Sequence, residues 1–300
     1  MIIGLLHPGN MGAAVGARLV DAGHQVLWCP DARSPATHDR AAAAGLTPTP
    51  DLVDLLARAE TVISICPSSA AIEVAETVAV HRYRGIYVDA NAVSPQRMQH
   101  IAGTLTQVGA AVVDAIISGP PPRDDLFAKK AKIFIAGPDP ARSTVNRLFA
   151  SGELETEELN ENPWSASALK MAMISFLRPA RMLAVIANGM ADHYGVGDAL
   201  TREAQRTGNP MLGDREFFPG LAARAWRWIP EAHEFAHTLA EAGLPTDYAD
   251  ATARMFAAYV TDKDDWGLSP AQVIQRLRVE VPPESMGEAY GTGPDRTNPA

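Results

Sequence analysis

Gly4-Leu5-Leu6-His7-Pro8-Gly9-Asn10-Met11-Gly12 leaves a short apolar run, Ile2–Leu6, and enters an alanine-rich helical pattern over Ala13–Ala22. A strand that feeds a helix through a glycine-rich turn opens a βαβ unit. Glycine in that turn lets backbone N–H groups at the helix N-terminus approach a pyrophosphate closely. Gly9 and Gly12 hold the second and third glycine places of G-x-G-x-x-G, and His7 stands where the first glycine belongs. The turn residues His7, Pro8, Gly9, Asn10, Met11 and Gly12 are therefore expected to line a dinucleotide. A tight glycine turn that serves only the backbone is the plainer alternative.

About twenty residues beyond Gly12, a second β-rich run ends in Trp28-Cys29-Pro30-Asp31-Ala32-Arg33-Ser34. An acid at this place accepts from the ribose hydroxyls of NAD, whereas an arginine pairs with the 2′-phosphate of NADP. Both are present. Arg33, Ser34 and Thr37 supply three donors suited to a phosphate, so the stretch predicts NADP, with NAD kept open by Asp31. Ser34 before Pro35 also reads as a helix N-cap, which is compatible with the same role.

Working outward, Gln25–Cys29, Thr61–Cys66, Ile86–Asp89, Ala111–Ala115 and Lys132–Ala136 read as further strands between helical patterns. The alternation predicts a doubly wound, mostly parallel α/β sheet of the Rossmann type over residues 1–160. Gly23 and Gly45 sit where helices before them should end. At Asn162-Pro163 the texture changes: an N-cap candidate and a proline at N1 open a helical pattern that runs to Gly195, with a kink expected at Pro179. Thirty residues of helix span about 45 Å, enough to link two domains. Residues 161–281 read as this helix plus an all-α domain, and residues 282–300 as a mobile tail rich in turn formers.

Composition agrees. The 300 residues are 47% hydrophobic and 20% charged, which excludes a disordered or fibrous chain, and a net charge of −9 argues against nucleic acid or anionic membrane as partner. Cys29 and Cys66 lie in apolar runs, as reduced thiols of a cytoplasmic protein would. The N-terminus lacks the basic region of a secretory signal, and no apolar stretch is long enough to span a membrane.

These segments resemble the β-hydroxyacid dehydrogenase superfamily, the group of 3-hydroxyisobutyrate, tartronate semialdehyde and 6-phosphogluconate dehydrogenases and of imine reductases, in the branch with a 6-phosphogluconate-dehydrogenase-like C-terminal domain. The resemblance implies that Cys66-Pro67-Ser68 runs along the cofactor and that Asp89-Ala90-Asn91-Ala92-Val93-Ser94-Pro95 lies near the nicotinamide. The family's D-A-P-V-S-G-G substrate run appears as Asp114-Ala115-Ile116-Ile117-Ser118-Gly119-Pro120, so Ser118 and Gly119, with Asn91, are the implied anchors of a small anionic substrate. Pro120 replaces the second glycine and removes one backbone donor.

Lys170 stands where the family carries its general acid/base. Its near-uncharged surroundings, Ser165–Ala172, would desolvate an ammonium and lower its pKa. A surface lysine covering apolar neighbours with its stem is the structural alternative. Four residues on, the family's asparagine is Ile174, and farther on its Lys-Asp pair aligns with Pro230-Glu231, which makes Glu231 a candidate near the substrate or a solvated acid at a helix N-terminus. Imine reductases usually carry Asp or Tyr in the lysine's place, so Lys170 favours alcohol and carbonyl chemistry. The resemblance also implies a homodimer.

His233-Glu234-Phe235-Ala236-His237 is a literal H-E-x-x-H, the pattern of a zinc hydrolase. No third ligand stands at a recognised spacing, so no metal site is expected. A non-catalytic NADP-binding protein is the remaining alternative. Trp226, Trp228, Phe217, Phe218, Tyr248, Phe256 and Tyr259 fall at helical spacings and read as core and dimer packing.

Overall fold

The computed structural model describes residues 1–122 and 131–278. The tail at 282–300 and the close of the helical region near Val281 lie outside the described residues. The first half interleaves β1 (Ile2–Leu6), α1 (Asn10–Asp21), β2 (Gln25–Trp28), α2 (Pro35–Ala43), β3 (Thr47–Pro48), α3 (Leu52–Arg58) and β4 (Thr61–Ser64). It continues through α4 (Ala71–Val80), β5 (Ile86–Asp89), α5 (Pro95–Gln107), β6 (Ala111–Ser118), β7 (Lys132–Ala136), α6 (Ala141–Ser151) and β8 (Glu155–Glu158).

Among the described residues the strands form one sheet in the order β3-β2-β1-β4-β5-β6-β7-β8. Every pairing is parallel except β6 with β7. Gly4 on β1 pairs with Leu27 on one side and Val62 on the other, so the strand order reverses at β1. In such sheets ligands bind at the carboxyl ends of the strands beside the reversal, where β1 empties into the His7–Gly12 turn. Apolar strands buried on both faces explain the sheet's stability: Ile3, Val15 and Phe149 belong to one core, Leu27, Val62 and Tyr87 to the other.

The second half comprises α7 (Ser165–His193), α8 (Gly197–Arg206), α9 (Pro210–Gly213), α10 (Phe217–Ala222), α11 (Ala225–Glu241), α12 (Asp247–Ala257) and α13 (Pro270–Arg276). Helix α7 packs on β6 and β7 at one end and on α11, α12 and α13 along its length, so it belongs to both halves. Phe218, Trp228, Phe256 and Tyr259 are buried, as core residues, while Tyr248 is exposed.

Several boundaries differ from the sequence reading. Helix α1 starts at Asn10 rather than Ala13, because Gly9 already stands at its N-cap. Helix α7 starts at Ser165 with Trp164 at its N-cap, and Asn162 instead accepts the Trp164 and Ser165 N–H groups through its backbone carbonyl. Strand β6 runs on to Ser118, stabilised by pairing with β7, so Ser118 ends a strand rather than sitting in a loop. Strands β3 and β8 escape a hydrophobicity reading: one is two residues long and the other reads Glu-Thr-Glu-Glu. Gly23 and Gly45 do stand just past helix ends, at φ +83° and +69°, as left-handed caps require.

Candidate active site

The turn after β1 is built around His7, whose φ of +68° is a conformation that glycine ordinarily supplies. Its carbonyl accepts the Gly9 N–H at 2.8 Å, and a Cβ on Gly12 would fall 2.7 Å from the same oxygen, so the third glycine is enforced by the turn itself. A Cβ on Gly9 would meet nothing within 4 Å. That open space above the first N–H groups of α1 is room for a diphosphate. Burial, then the nearby Arg33 guanidinium, pulls the His7 imidazole down to about 4, so it is neutral at pH 7. Its Nδ1 and the Nε of Arg33 are buried without hydrogen-bond partners in the protein. Both residues line a cleft of about 360 Å³ with Leu6, Cys29, Asp31 and Glu73. Two unpartnered polar atoms and a glycine turn with open space above it fit a dinucleotide.

At the rim of this cleft, Ala32 at φ +56° turns the chain between Asp31 and Arg33. Ser34 is the N-cap residue of α2, but its hydroxyl meets Thr37 Oγ1 at 3.1 Å instead of capping the helix backbone. Arg40, which the sequence reading passed over, donates to Thr37 Oγ1 at 2.9 Å and to the Pro8 carbonyl at 3.4 Å. It ties the glycine turn to α2 and adds a second cation to Arg33. Cys29, free as a thiol, also lines the cleft.

The next two strand ends are tied together by Asn91. Its Oδ1 accepts the Cys66 N–H at 2.6 Å, and its Nδ2 donates to Ser64 Oγ and to Asp89 at 3.2 and 2.9 Å. The side chain is thus engaged with protein at both ends of its amide and holds the Cys66-Pro67-Ser68 and Asp89–Pro95 segments at a fixed spacing. Ser68 is buried at the start of a single turn running to Ala70. Burial pushes the Asp89 carboxyl up to about 7, and burial followed by Asp89 pushes the Cys66 thiol up to about 12, which keeps the thiol protonated and unreactive.

Lys170 lies one turn beyond the N-terminus of α7. Its Nζ donates to the Ile117 carbonyl at 3.0 Å, directly before Ser118 and Gly119. Gly119 has φ +115°, a backbone that side-chain-bearing residues rarely adopt, and this explains glycine there. The lysine is half-buried, and burial lowers its pKa from 10.5 to about 8. Glu231 opposes that shift, while Arg178 and Arg227 add to it. Three residues back on each element, buried Asp114 accepts from the Ser167 N–H at 2.7 Å and the Ser167 hydroxyl at 2.8 Å. A strand carboxyl group therefore caps α7 and fixes where Lys170 projects. Ile174, in the family's asparagine position, is buried against Phe235 and Ala232 of α11.

Glu231 sits at the seventh position of α11, not at its N-terminus, and is paired with Arg178 at 2.7 Å. Arg178 also lies 4.1 Å from the Trp228 ring centroid. The H-E-x-x-H reading is overturned by its own glutamate: Glu234 is buried, accepts the Ser94 N–H at 2.7 Å and pairs with Arg97. His233 and His237 are exposed, and among the described residues no group of three His, Cys, Asp or Glu could hold a metal. Glu234 instead joins the helical half to the segment after β5. The structure thus brings Lys170, Ser118, Gly119 and Glu231 into one neighbourhood and the cofactor candidates into another, and it adds Arg40, Arg97, Arg178 and Arg227, which carried no motif.

A strand-reversal cleft with a glycine turn at its floor defines the class as a dinucleotide-binding α/β protein with an appended helical half. Residues 2–154 match the NAD binding domain of 6-phosphogluconate dehydrogenase, and the chain belongs to that family, within the β-hydroxyacid dehydrogenase superfamily. Residues 191–259 match a Domain of unknown function (DUF1932). The chain is 30% identical over 120 residues, 39% of its length, to mitochondrial 3-hydroxyisobutyrate dehydrogenase of Drosophila melanogaster, and the match spans 36% of that relative. It is similar in fold to Mycobacterium tuberculosis 3-hydroxyisobutyrate dehydrogenase with L-serine (TM-score 0.73, 19% identity, 93% of this chain and 99% of that one). A Streptomyces aurantiacus imine reductase is also similar (TM-score 0.60, 20% identity, 93% and 100%).

Proposed function

We propose that the protein transfers a hydride between NADP and the carbinol carbon of a small hydroxy acid or related anionic alcohol, with Lys170 as general acid/base. The observation that carries this reading is the lysine itself: an amine lowered to about 8, held by the Ile117 carbonyl next to Ser118 and Gly119. When bound, a nicotinamide dinucleotide supplies the hydride acceptor in one direction and the donor in the other. In oxidation, neutral Lys170 takes the hydroxyl proton as the carbinol C–H bond breaks and the carbonyl forms. In reduction, the ammonium returns that proton to the developing alkoxide.

Ser118 hydroxyl and the Gly119 N–H anchor the substrate carboxylate by charge-assisted hydrogen bonds. Asn91, engaged with Ser64, Cys66 and Asp89, positions the walls of the cleft, and Glu231 tunes Lys170 without touching the reacting atoms. On the cofactor side, the turn from His7 to Gly12 receives the diphosphate, and Arg33, Ser34, Thr37 and Arg40 receive the 2′-phosphate. Asp31 remains the feature that favours NAD.

The division at residues 160 and 161 gives a cofactor domain and a helical substrate domain that share α7. A homodimer is supported by an exposed apolar stripe on α7, Phe176, Leu183, Ile186 and Met190, continued by Tyr194 at its C-cap, beside an apolar cavity of about 440 Å³ that none of the site residues lines. Free Cys29 and Cys66 support a reducing, cytoplasmic setting. No helix among the described residues is long and apolar enough to cross a membrane.

Imine reduction is the second reading, favoured by the similarity in fold to imine reductases and opposed by Lys170. A screen of hydroxy acids, polyols and cyclic imines with NADP or NADPH separates the two. Turnover of hydroxy acids supports the proposal, and turnover of imines alone overturns it.

A further inference from the structure

The glutamate of the H-E-x-x-H stretch caps a helix of the other half. Helix α5 opens Ser94-Pro95-Gln96-Arg97, with Ser94 at its N-cap, proline at N1 and no acidic residue in its first turn. A helix that begins with serine is commonly completed by Glu or Gln three residues on, whose side chain reaches back to the N-cap N–H. Arg97 occupies that place and has no acceptor to offer. The Ser94 hydroxyl does not compensate: it is buried and has no hydrogen-bond partner among the described residues. The missing acceptor comes from α11. Glu234, only 4% exposed, takes the Ser94 N–H on Oε2 at 2.7 Å and pairs through Oε1 with the Arg97 guanidinium. Its charge also faces the positive end of α5.

The start of α5 is therefore complete only with the helical half in place. Ser94 closes the segment that leaves the carboxyl end of β5, on the edge of the sheet where ligands bind. Asp89, at the other end of that segment, lies in register with Asp114 of β6, which holds Ser167 of α7 three residues before Lys170. Ala92, between them, packs in one apolar cluster with Met171 and Ile174 of α7 and with Ala232 and Phe235 of α11. Phe235 follows Glu234 and Met171 follows Lys170, so the capping carboxylate and the amine are carried by elements joined through the same cluster.

We infer that Glu234 is a positioning residue for hydride transfer: by capping α5 from the helical half, it holds the segment after β5, and the nicotinamide expected along it, in register with Lys170. A reacting pair tolerates little misplacement, so a clasp between the two halves that sets their spacing acts on the chemical step without touching the reacting atoms. The role rests on the proposed function; the cap does not.

A cap supplied within α5 separates positioning from mere stability. The double variant Arg97→Glu/Glu234→Ala puts an acceptor back at the third helical position and removes the tie between the halves. Steady-state rates are measured on the full chain well below each melting midpoint, with the hydroxy acid or imine that the wild type turns over, and NADPH titrations and melting curves are taken in parallel. Glu234→Ala is expected to lower kcat at least about 10-fold while NADPH affinity stays within about 2-fold of wild type. Glu234→Gln, whose amide oxygen still accepts the Ser94 N–H, recovers most of that loss. The double variant regains most of the melting temperature and keeps the low kcat. A double variant that regains kcat together with melting temperature, or an unchanged kcat in Glu234→Ala, overturns the inference. Should Glu234→Ala fail to fold, the double variant against wild type carries the kcat comparison. Turnover of imines alone, with these losses, keeps the positioning role and removes the hydroxy-acid reading. Turnover of hydroxy acids that the variants leave intact does the reverse, and a chain that turns over neither class overturns both.

Discussion

Lys170 Nζ meets the Ile117 carbonyl at 3.0 Å, and three residues earlier on the same strand and helix Asp114 receives both the N–H and the hydroxyl of Ser167. One element of the sheet thus fixes both the start of α7 and the lysine one turn along it. The amine does not depend on a flexible loop for its position.

This arrangement predicts opposite pH limbs for the two directions. With Lys170 at about 8, oxidation rises as pH passes through 8 and the neutral amine accumulates, while reduction falls over the same range. Glu231 is the group that holds the lysine up, so Glu231→Gln shifts both midpoints to lower pH. Initial rates from pH 6 to 10 in each direction check the sign.

Asp114 should matter for stability as well as for aim. Asp114→Ala removes the acceptor of two buried hydrogen bonds at the start of α7 and costs about 2 kcal/mol. Asp114→Asn retains most of the contact. The pH dependence follows from burial. The carboxyls of Asp89 and Asp114 are raised from 3.8 to about 7 and about 8, so between roughly pH 4 and 8 the folded chain holds protons that the unfolded chain has released. Their contribution is fully present below pH 4 and is lost as pH rises through 7 to 8. Melting curves from pH 5 to 7.5 should decline, and less steeply in Asp114→Asn.

Cofactor preference is expected to follow the two cations beside α2. Arg33→Ala should lower the NADP-over-NAD ratio of kcat/KM by at least about 10-fold, and Arg40→Ala should lower it less, because Arg40 also braces Thr37 and the Pro8 carbonyl. An unchanged ratio in Arg33→Ala would remove the 2′-phosphate assignment.

His7 offers a separate test of the turn. His7→Gly relieves a left-handed backbone worth about 1 kcal/mol but gives the unfolded chain comparable extra freedom, so the melting temperature should hold within about 2 °C. The imidazole Nδ1 without a protein partner then predicts weaker NADPH binding, measured by fluorescence titration. Equal or tighter binding would mean that the histidine only fills space.

Glu234→Ala should behave as a lost internal pair rather than a lost metal site. It leaves Arg97 and the Ser94 N–H without their carboxylate, at a cost of about 3 kcal/mol. Protein purified without chelator should contain no stoichiometric zinc, and a 1:1 zinc content would reinstate the hydrolase reading.

The parts of the fold that were legible are those written in local pattern. Apolar runs such as Ile2–Leu6 and residues 86–88 mark strands buried on both faces, and Gly23 and Gly45 mark helix ends, because each follows from backbone and burial alone. Glu155–Glu158 hides from the same reading: its side chains are largely solvated and only pairing with β7 makes it a strand. Within the site, Lys170 was legible because an ammonium in an apolar helix stands out. Arg40, Arg97 and Arg178 were not, since their partners lie on other elements or in backbone that sequence spacing does not encode. Glu234 misled for the converse reason: a motif fixes spacing along a helix but not which neighbouring element, here α5 with Arg97, claims its carboxylate.

The central claim is that Lys170 moves the proton that accompanies hydride transfer. The most direct test is Lys170→Ala, assayed with NADP(H) and the hydroxy acid that the wild type turns over, with NADPH binding titrated in parallel. Retained NADPH binding with turnover down at least about 100-fold is the predicted result. Unchanged turnover in a variant that binds NADPH normally would contradict it.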